Sequence, residues 1–374
     1  MQVYRRGDTG HVVAHVRSVL ASLALPVGPE EGVSATDFDA TLDKAVRAFQ
    51  QQRGLSVDGI VGPDTLRALD EARRSLGDRL LYFSPSRPFV GDDVAELQTR
   101  LLNMGFDAGR CDGIFGRRTE SALGEFQRNR RLAVDGRCGP ATLRELHRLA
   151  RVVVGGRPHE LRETEELRRR GQGDSELTVA IDAGHGGRDE GWTALGLCER
   201  DIVAEIAARL EGRLLATGLS GFLIHSHNES PDERERARRA NELGADLMIS
   251  LHVDGAPSPR CQGVATFHFG SLRNASVIGS KLAELVQREM VSRTDLVDLR
   301  THPRTWDLLR RTQMPTVRVE LGYLTNPQDA ACLAAPEFRD TVAEALLAAV
   351  QRLFLPPELD LPTGQLRLPA VSLH

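Results

Sequence analysis

Leu177-Thr178-Val179-Ala180-Ile181-Asp182-Ala183-Gly184-His185-Gly186-Gly187 is a short apolar run, rich in β-branched residues, that stops at a cluster of glycines. Such a run reads as a buried strand ending in a tight turn, which sets His185 just beyond the strand's carboxyl end. Working outward, Asp246-Leu247-Met248-Ile249-Ser250-Leu251 repeats the pattern and delivers His252, and Thr316-Val317-Arg318-Val319 delivers Glu320 ahead of Leu321-Gly322-Tyr323. Glu199-Arg200-Asp201-Ile202-Val203-Ala204-Glu205-Ile206-Ala207-Ala208-Arg209-Leu210 carries apolar residues at helical spacing, so Glu199 opens a helix whose dipole favours a carboxylate there. Each of the four polar residues is thus expected where the chain leaves a strand or enters a helix. In open α/β sheets, ligands collect outside the carboxyl ends of the strands.

Those residue types define a chemistry. Two imidazoles and one carboxylate form an established zinc set that leaves a fourth position open. Zinc lowers the pKa of a bound water from ~15.7 to about 7, and a second carboxylate, Glu320, is placed to take and return a proton. The reaction class this points to is amide hydrolysis. The intervals of 14, 53 and 68 positions between successive members do not by themselves make them converge. Alone, a histidine after a strand is a hydrogen-bonded loop residue, and Glu199 a helix-dipole charge worth ~0.3–1 kcal/mol.

The segments Ile181-Asp182-Ala183-Gly184-His185-Gly186-Gly187, Glu199-Arg200-Asp201, Arg236-Ala237-Arg238-Arg239-Ala240-Asn241, Ser250-Leu251-His252 and Val319-Glu320-Leu321-Gly322-Tyr323-Leu324-Thr325-Asn326 resemble, in order, those of the zinc-dependent N-acetylmuramoyl-L-alanine amidases of the AmiC/LytC type. The resemblance spans residues 177–355. It implies that His185, Glu199 and His252 bind Zn2+ and that Glu320 is the catalytic acid/base. It also implies that the scissile bond joins the lactyl group of muramic acid to L-alanine of peptidoglycan or a muramyl-peptide precursor. After the second histidine this chain has Val253-Asp254-Gly255 where the family has a small residue and Asn, a departure that bears on substrate contacts.

The front half contains a duplication. Ala45-Val46-Arg47-Ala48-Phe49-Gln50 through Val57-Asp58-Gly59 to Gly62-Pro63-Asp64-Thr65-Leu66 recurs 77 positions later as Ala122-Leu123-Gly124-Glu125-Phe126-Gln127 through Val134-Asp135-Gly136 to Gly139-Pro140-Ala141-Thr142-Leu143. Each copy reads as a helix ending near Phe-Gln, a turn, and a helix entered through Gly-Pro-x-Thr, where proline's missing N–H costs nothing. The units resemble peptidoglycan-binding modules. Copy two also has Asp112-Gly113-Ile114-Phe115-Gly116-Arg117-Arg118-Thr119, against only Phe38-Asp39-Ala40-Thr41 in copy one, and is the better candidate for a binding groove; the alternative is a pair of helical modules reused for protein contacts.

The expected fold is therefore multidomain. Residues 1–76 and 80–150 form two small all-α three-helix modules, 151–176 a charged linker, 177–355 an α/β zinc-hydrolase domain with a mostly parallel central sheet, and 356–374 a Pro-rich tail. A length of 374 residues and 41% hydrophobic content suit two or three real cores. Net charge is −4, from 48 basic and 52 acidic residues, so no global field argues for nucleic acid or an anionic membrane. No stretch approaches the ~20 apolar residues of a membrane span. Five cysteines without paired spacing read as reduced thiols. Alternation places His225 and His227 on one strand face, as a strand-end polar pair or a further metal or substrate contact. Trp192, Trp306 and Tyr323 are candidates for a sugar site or for packing.

Arg5-Arg6 is followed at once by Gly7-Asp8-Thr9-Gly10, and Val12, Val13, Val16, Val19, Leu20 and Leu23 fall at helical spacing. That is an amphipathic helix and not the apolar core of a secretory signal. The expected location is cytoplasmic, or extracytoplasmic if the start is misassigned. In domain order the chain looks closest to the actinobacterial CwlM-type proteins. That resemblance implies an alternative function, a non-hydrolytic regulator of peptidoglycan precursor synthesis that binds a precursor or an early pathway enzyme such as MurA. Thr363, between Pro362 and Gly364 in the tail, is the candidate phosphate acceptor for such regulation.

Overall fold

In the computed structural model the described residues are 3–30, 32–150, 163, 165, 177–270 and 275–355. The expected linker, apart from Glu163 and Glu165, and the tail with Thr363 lie outside them. The chain divides into two compact units that part near residue 162.

The first unit holds α1 (His11–Ser22), α2 (Ala40–Arg53), α3 (Pro63–Ala72), α4 (Asp92–Asn103), α5 (Arg117–Asn129) and α6 (Pro140–Ala150). Two separate cores form here. Val13, Leu20, Leu42, Val46 and Phe49 anchor one, and Leu97, Leu101, Phe115, Leu123 and Phe126 the other. A glutamine at or near the end of a helix organises each turn. The Gln50 amide nitrogen donates to Asp58 Oδ1 (2.7 Å) and lies within bonding distance of the Ile60 carbonyl and Thr65 Oγ1, while its oxygen accepts from Gly59 N at 2.9 Å. Gln127 makes the same set with Asp135, the Arg137 carbonyl, Thr142 and Gly136. The turns need glycine, since Gly59 and Gly136 have φ of 72° and 66°. A third copy, which the sequence comparison left unpaired, joins Gln98 to Asp112, Gly113 and Thr119. In the first core a buried Arg17 takes that role, donating to the Asp37 carbonyl and to Asp39, which also caps α2.

The second unit is built on a six-stranded sheet in the order β4 (Ser220–Leu223), β1 (Thr178–Ala183), β5 (Leu247–Asp254), β8 (Thr316–Tyr323), β6 (Val264–Phe269), β7 (Asp298–Arg304), with a two-stranded ribbon of β2 (Thr193–Ala194) and β3 (Leu197–Cys198) beside it. The first four strands are mutually parallel; β6 runs antiparallel to β8 and parallel to β7. Helices α7 (Glu199–Ala216), α9 (Val277–Arg293) and α12 (Pro336–Leu353) bury Ile202, Ile206, Leu282, Val286, Leu346 and Val350 with Ile181, Ile249, Leu251, Val317 and Val319 in one large core. On the opposite face, α8 (Glu233–Leu243) and α10 (Asp307–Arg311) cover a smaller one of Ala180, Ala237, Ala240, Met248 and Leu308. A further helix, α11 (Pro327–Ala334), is capped by Asn326.

Period-2 alternation then decides where the polar residues point. Ile181, Leu251 and Val319 enter the large core, so Asp182, Ser250, His252, Arg318 and Glu320 belong to the other face. Sheet register sets them in rows: Asp182 opposite Ser250 opposite Arg318, and His252 opposite Glu320. His252 and Glu320 thus lie inside their strands and not past the ends, as the sequence had suggested, because the two residues pair with each other and extend the ladder. Between His252 and Asp254 the register shifts, with Gly322 at φ 136° on the partner strand; bulges of this kind re-aim side chains beside functional sites.

Candidate metal centre

His185 sits two residues beyond β1 with φ 66°, an uncommon left-handed conformation for a non-glycine residue. A turn closed by reciprocal bonds between Gly186 and Asp189 holds it, and Arg236 from α8 donates to its carbonyl at 3.1 Å. Arg236 is itself anchored by a buried ion pair to Asp182 (2.7 Å) and by contacts to the Ala183 carbonyl and His225. Ser250 donates a further bond to Asp182. Burial would raise the Asp182 carboxyl, but the His225 bond, the Arg236 charge and Ser250 hold it far below the usual carboxylate range. This network is a rigid floor under the histidine.

Glu199, at the first position of α7, reaches both imidazoles. Its Oε2 lies 3.1 Å from His185 Nε2 and its Oε1 3.0 Å from His252 Nδ1. Its oxygens also accept from the Trp192 and Val253 backbone N–H groups. Burial works against the charge on Glu199, yet the bonds to His185 and His252 depress its pKa strongly. The His185 pKa is pulled down by burial and raised on balance by Glu199 and Asp189. One donor atom from each of His185, Glu199 and His252 falls within a span of 4.8 Å. The second imidazole nitrogen of His185 meets the Asp189 carboxylate at 2.8 Å, the outer-shell arrangement that fixes the tautomer of a metal-ligating histidine. The donors are clustered, oriented and carry one negative charge, so the set fits a zinc ion.

Two glycines make room for this packing. A Cβ on Gly184 would lie 2.4 Å from the His252 ring, and one on Gly191 would lie 2.4 Å from Glu199 Oε2. Gly184 entered the sequence reading only as a turn residue, and Asp189 and Gly191 escaped it, although Asp189 stands four residues after His185 as a visible signal.

The centre opens into a cleft of about 420 Å3 lined also by Trp192, Asp254, Arg318 and Glu320. Glu320 is 8% exposed, and its Oε1 accepts from Arg318 at 2.8 Å. The Asp254 acid is pushed up by burial and then by the charge of Glu320; the Tyr323 phenol is pushed up to about 12 by burial and by Asp254. Trp192 is 45% exposed at the rim, and its indole packs on Gly255. Trp306 stacks beneath Arg318 at 4.8 Å and does not itself line the cleft. His225 and His227 are not on a strand, since β4 ends at Leu223. His225 turns into the Asp182 network, and His227 stands exposed, 3.5 Å from Asp201.

Residues 179–352 match the N-acetylmuramoyl-L-alanine amidase family, and residues 10–69 and 90–146 each match a peptidoglycan binding domain. The chain is 48% identical over 381 residues to the N-acetylmuramoyl-L-alanine amidase CwlM of Mycobacterium tuberculosis, covering 99% of this chain and 94% of that protein. It is 29% identical to the N-acetylmuramoyl-L-alanine amidase LytC of Bacillus subtilis over 169 residues, 45% of this chain and 34% of LytC. Among solved structures, the amidase AmiC2 of Nostoc punctiforme aligns with 48% of this chain and 98% of its own, at 28% identity and a TM-score of 0.45. All five cysteines are free, and no helix among the described residues is long and apolar enough to cross a membrane.

Proposed function

From the premise that the chain belongs to the N-acetylmuramoyl-L-alanine amidase family, we propose that His185, Glu199 and His252 hold a zinc ion and that Glu320 moves the proton in hydrolysis of the amide between muramic acid and L-alanine. The observation that carries this is the convergence of the three donors at the head of a cleft whose wall holds Glu320. Zinc bound there supplies Lewis acidity, polarising the amide carbonyl and acidifying water. Glu320 accepts a proton from the attacking water as the C–O bond forms, and returns it to the departing L-alanine nitrogen as the C–N bond breaks. Asp189, through His185, and Arg236, through Asp182 and the His185 carbonyl, keep the first imidazole in place. Trp192 at the rim offers a flat apolar face to a sugar ring.

Peptidoglycan or a muramyl-peptide fits the two binding-domain matches. The complete donor set together with Glu320 favours hydrolysis over the non-hydrolytic role in precursor synthesis, and no observation in the site favours the latter. The test is peptide release from a soluble N-acetylmuramoyl-peptide by zinc-loaded protein. Release should vanish on chelation, return with zinc, and be lost in Glu320→Ala at unchanged zinc content. Release that persists in Glu320→Ala would remove Glu320 from the reaction.

A further inference from the structure

Glu320 is not alone on its strand. Arg318, two residues earlier on the same face of β8, places both Nε and Nη2 at 2.8 Å from the one oxygen Oε1 of Glu320. The arginine is held from two other sides. Its guanidinium lies 4.8 Å over the Trp306 ring, and its Nη1 pairs with Glu233 of α8 at 3.4 Å. Its side chain is one-fifth exposed and reaches the cleft wall. An exposed arginine in a surface pair would be free to swing. This one has its plane set by an indole and its charge shared between two carboxylates, so it cannot reorient without breaking both contacts. A planar fork with fixed donors orients a carboxylate in a way a point charge does not.

We propose that Arg318 is a positioning residue for the amidase reaction, occupying one oxygen of Glu320 so that the other is the one presented to the attacking water. The inference rests on the reading of Glu320 as proton carrier. A base held by one oxygen presents a single, directed lone pair, and misplacement by about 1 Å costs on the order of 10²-fold in rate. The stack on Trp306 and the pair to Glu233 are the supports that make the arginine a fixed point.

The experiment measures kcat and KM for release of peptide from a soluble N-acetylmuramoyl-peptide by the zinc-loaded full chain. Arg318→Ala is expected to lower kcat by about 10- to 100-fold with KM within about threefold and zinc content unchanged. Arg318→Lys restores part of the loss, since it returns the charge without the fork. Trp306→Leu, which keeps the arginine and removes its stack, gives a smaller fall in kcat and stands in if Arg318→Ala does not fold. Glu320→Gln separates the premise from the inference. If Glu320→Gln stays active, the proton-carrier reading falls. If it is inactive while Arg318→Ala and Trp306→Leu retain wild-type kcat, or act on KM alone, the positioning role is overturned.

Discussion

A methyl group on Gly191 would press on two of the proposed zinc donors at once, 2.4 Å from Glu199 Oε2 and 2.6 Å from His185 Cδ2, at a φ of +66° that other residues rarely adopt. Gly191→Ala is therefore expected to weaken zinc affinity by at least the ~10–100-fold typical of outer-shell changes, with the thermal transition of the sheet retained; competition against a chromophoric chelator measures it. Asp182 gives a second prediction at this scale. It is fully buried against Arg236, so Asp182→Ala strands a cation and should cost about 3–5 kcal/mol in urea unfolding. Its folded pKa is depressed by His225, Arg236 and Ser250 against the opposing effect of burial. The stability it contributes is present above the unfolded value of ~3.9 and is lost as pH falls below it toward the folded value. The wild type should accordingly lose stability below about pH 4 more steeply than Asp182→Asn, as denaturant midpoints across that range would show.

At the scale of elements, the glutamine turns are the units of the first part of the chain. Gln127→Ala removes the amide that ties Asp135, the Arg137 carbonyl, Thr142 and Gly136 together. Unsatisfied buried groups of this kind cost about 1–3 kcal/mol, and hydrogen exchange should show faster opening at the start of α6. Two of these turns were legible from sequence because they recur 77 residues apart with their glycine and proline in step. The Gln98 turn was not paired with them, because its spacing differs: 14 residues from Gln98 to Asp112, against 8 from Gln127 to Asp135. In the second unit, β1 and the start of α7 could be read from apolar pattern alone. The continuation of β5 through His252 could not, because polar residues inside a strand look like its end unless the partner strand is known. The Asp182–Arg236 pair, 54 residues apart, is visible only once α8 is laid on the sheet.

At the scale of the molecule, the described residues form separate cores, two in the first unit and two on the faces of the sheet. Phe126→Ala, in the second helical core, should cost about 3–5 kcal/mol locally. In scanning calorimetry it should displace the transition of that helical core and leave the transition of the sheet unit in place, with amidase turnover on a soluble substrate unaltered. A single shifted transition would instead show the units to be thermodynamically coupled.

The interleaving on β5 and β8 has one more outcome. Leu251 and Val253 flank His252, and Val319 and Leu321 flank Glu320, each pair buried in the large core. A slip of either strand by one residue would turn every side chain to the other face, driving an imidazole or a carboxylate into hydrocarbon and spilling leucine and valine into the cleft. No misthreaded form can therefore retain both a sound interior and a working donor set. Turnover by this protein doubles as an assay of its own threading, and with zinc in excess a preparation's specific activity falls with every chain whose sheet is misaligned.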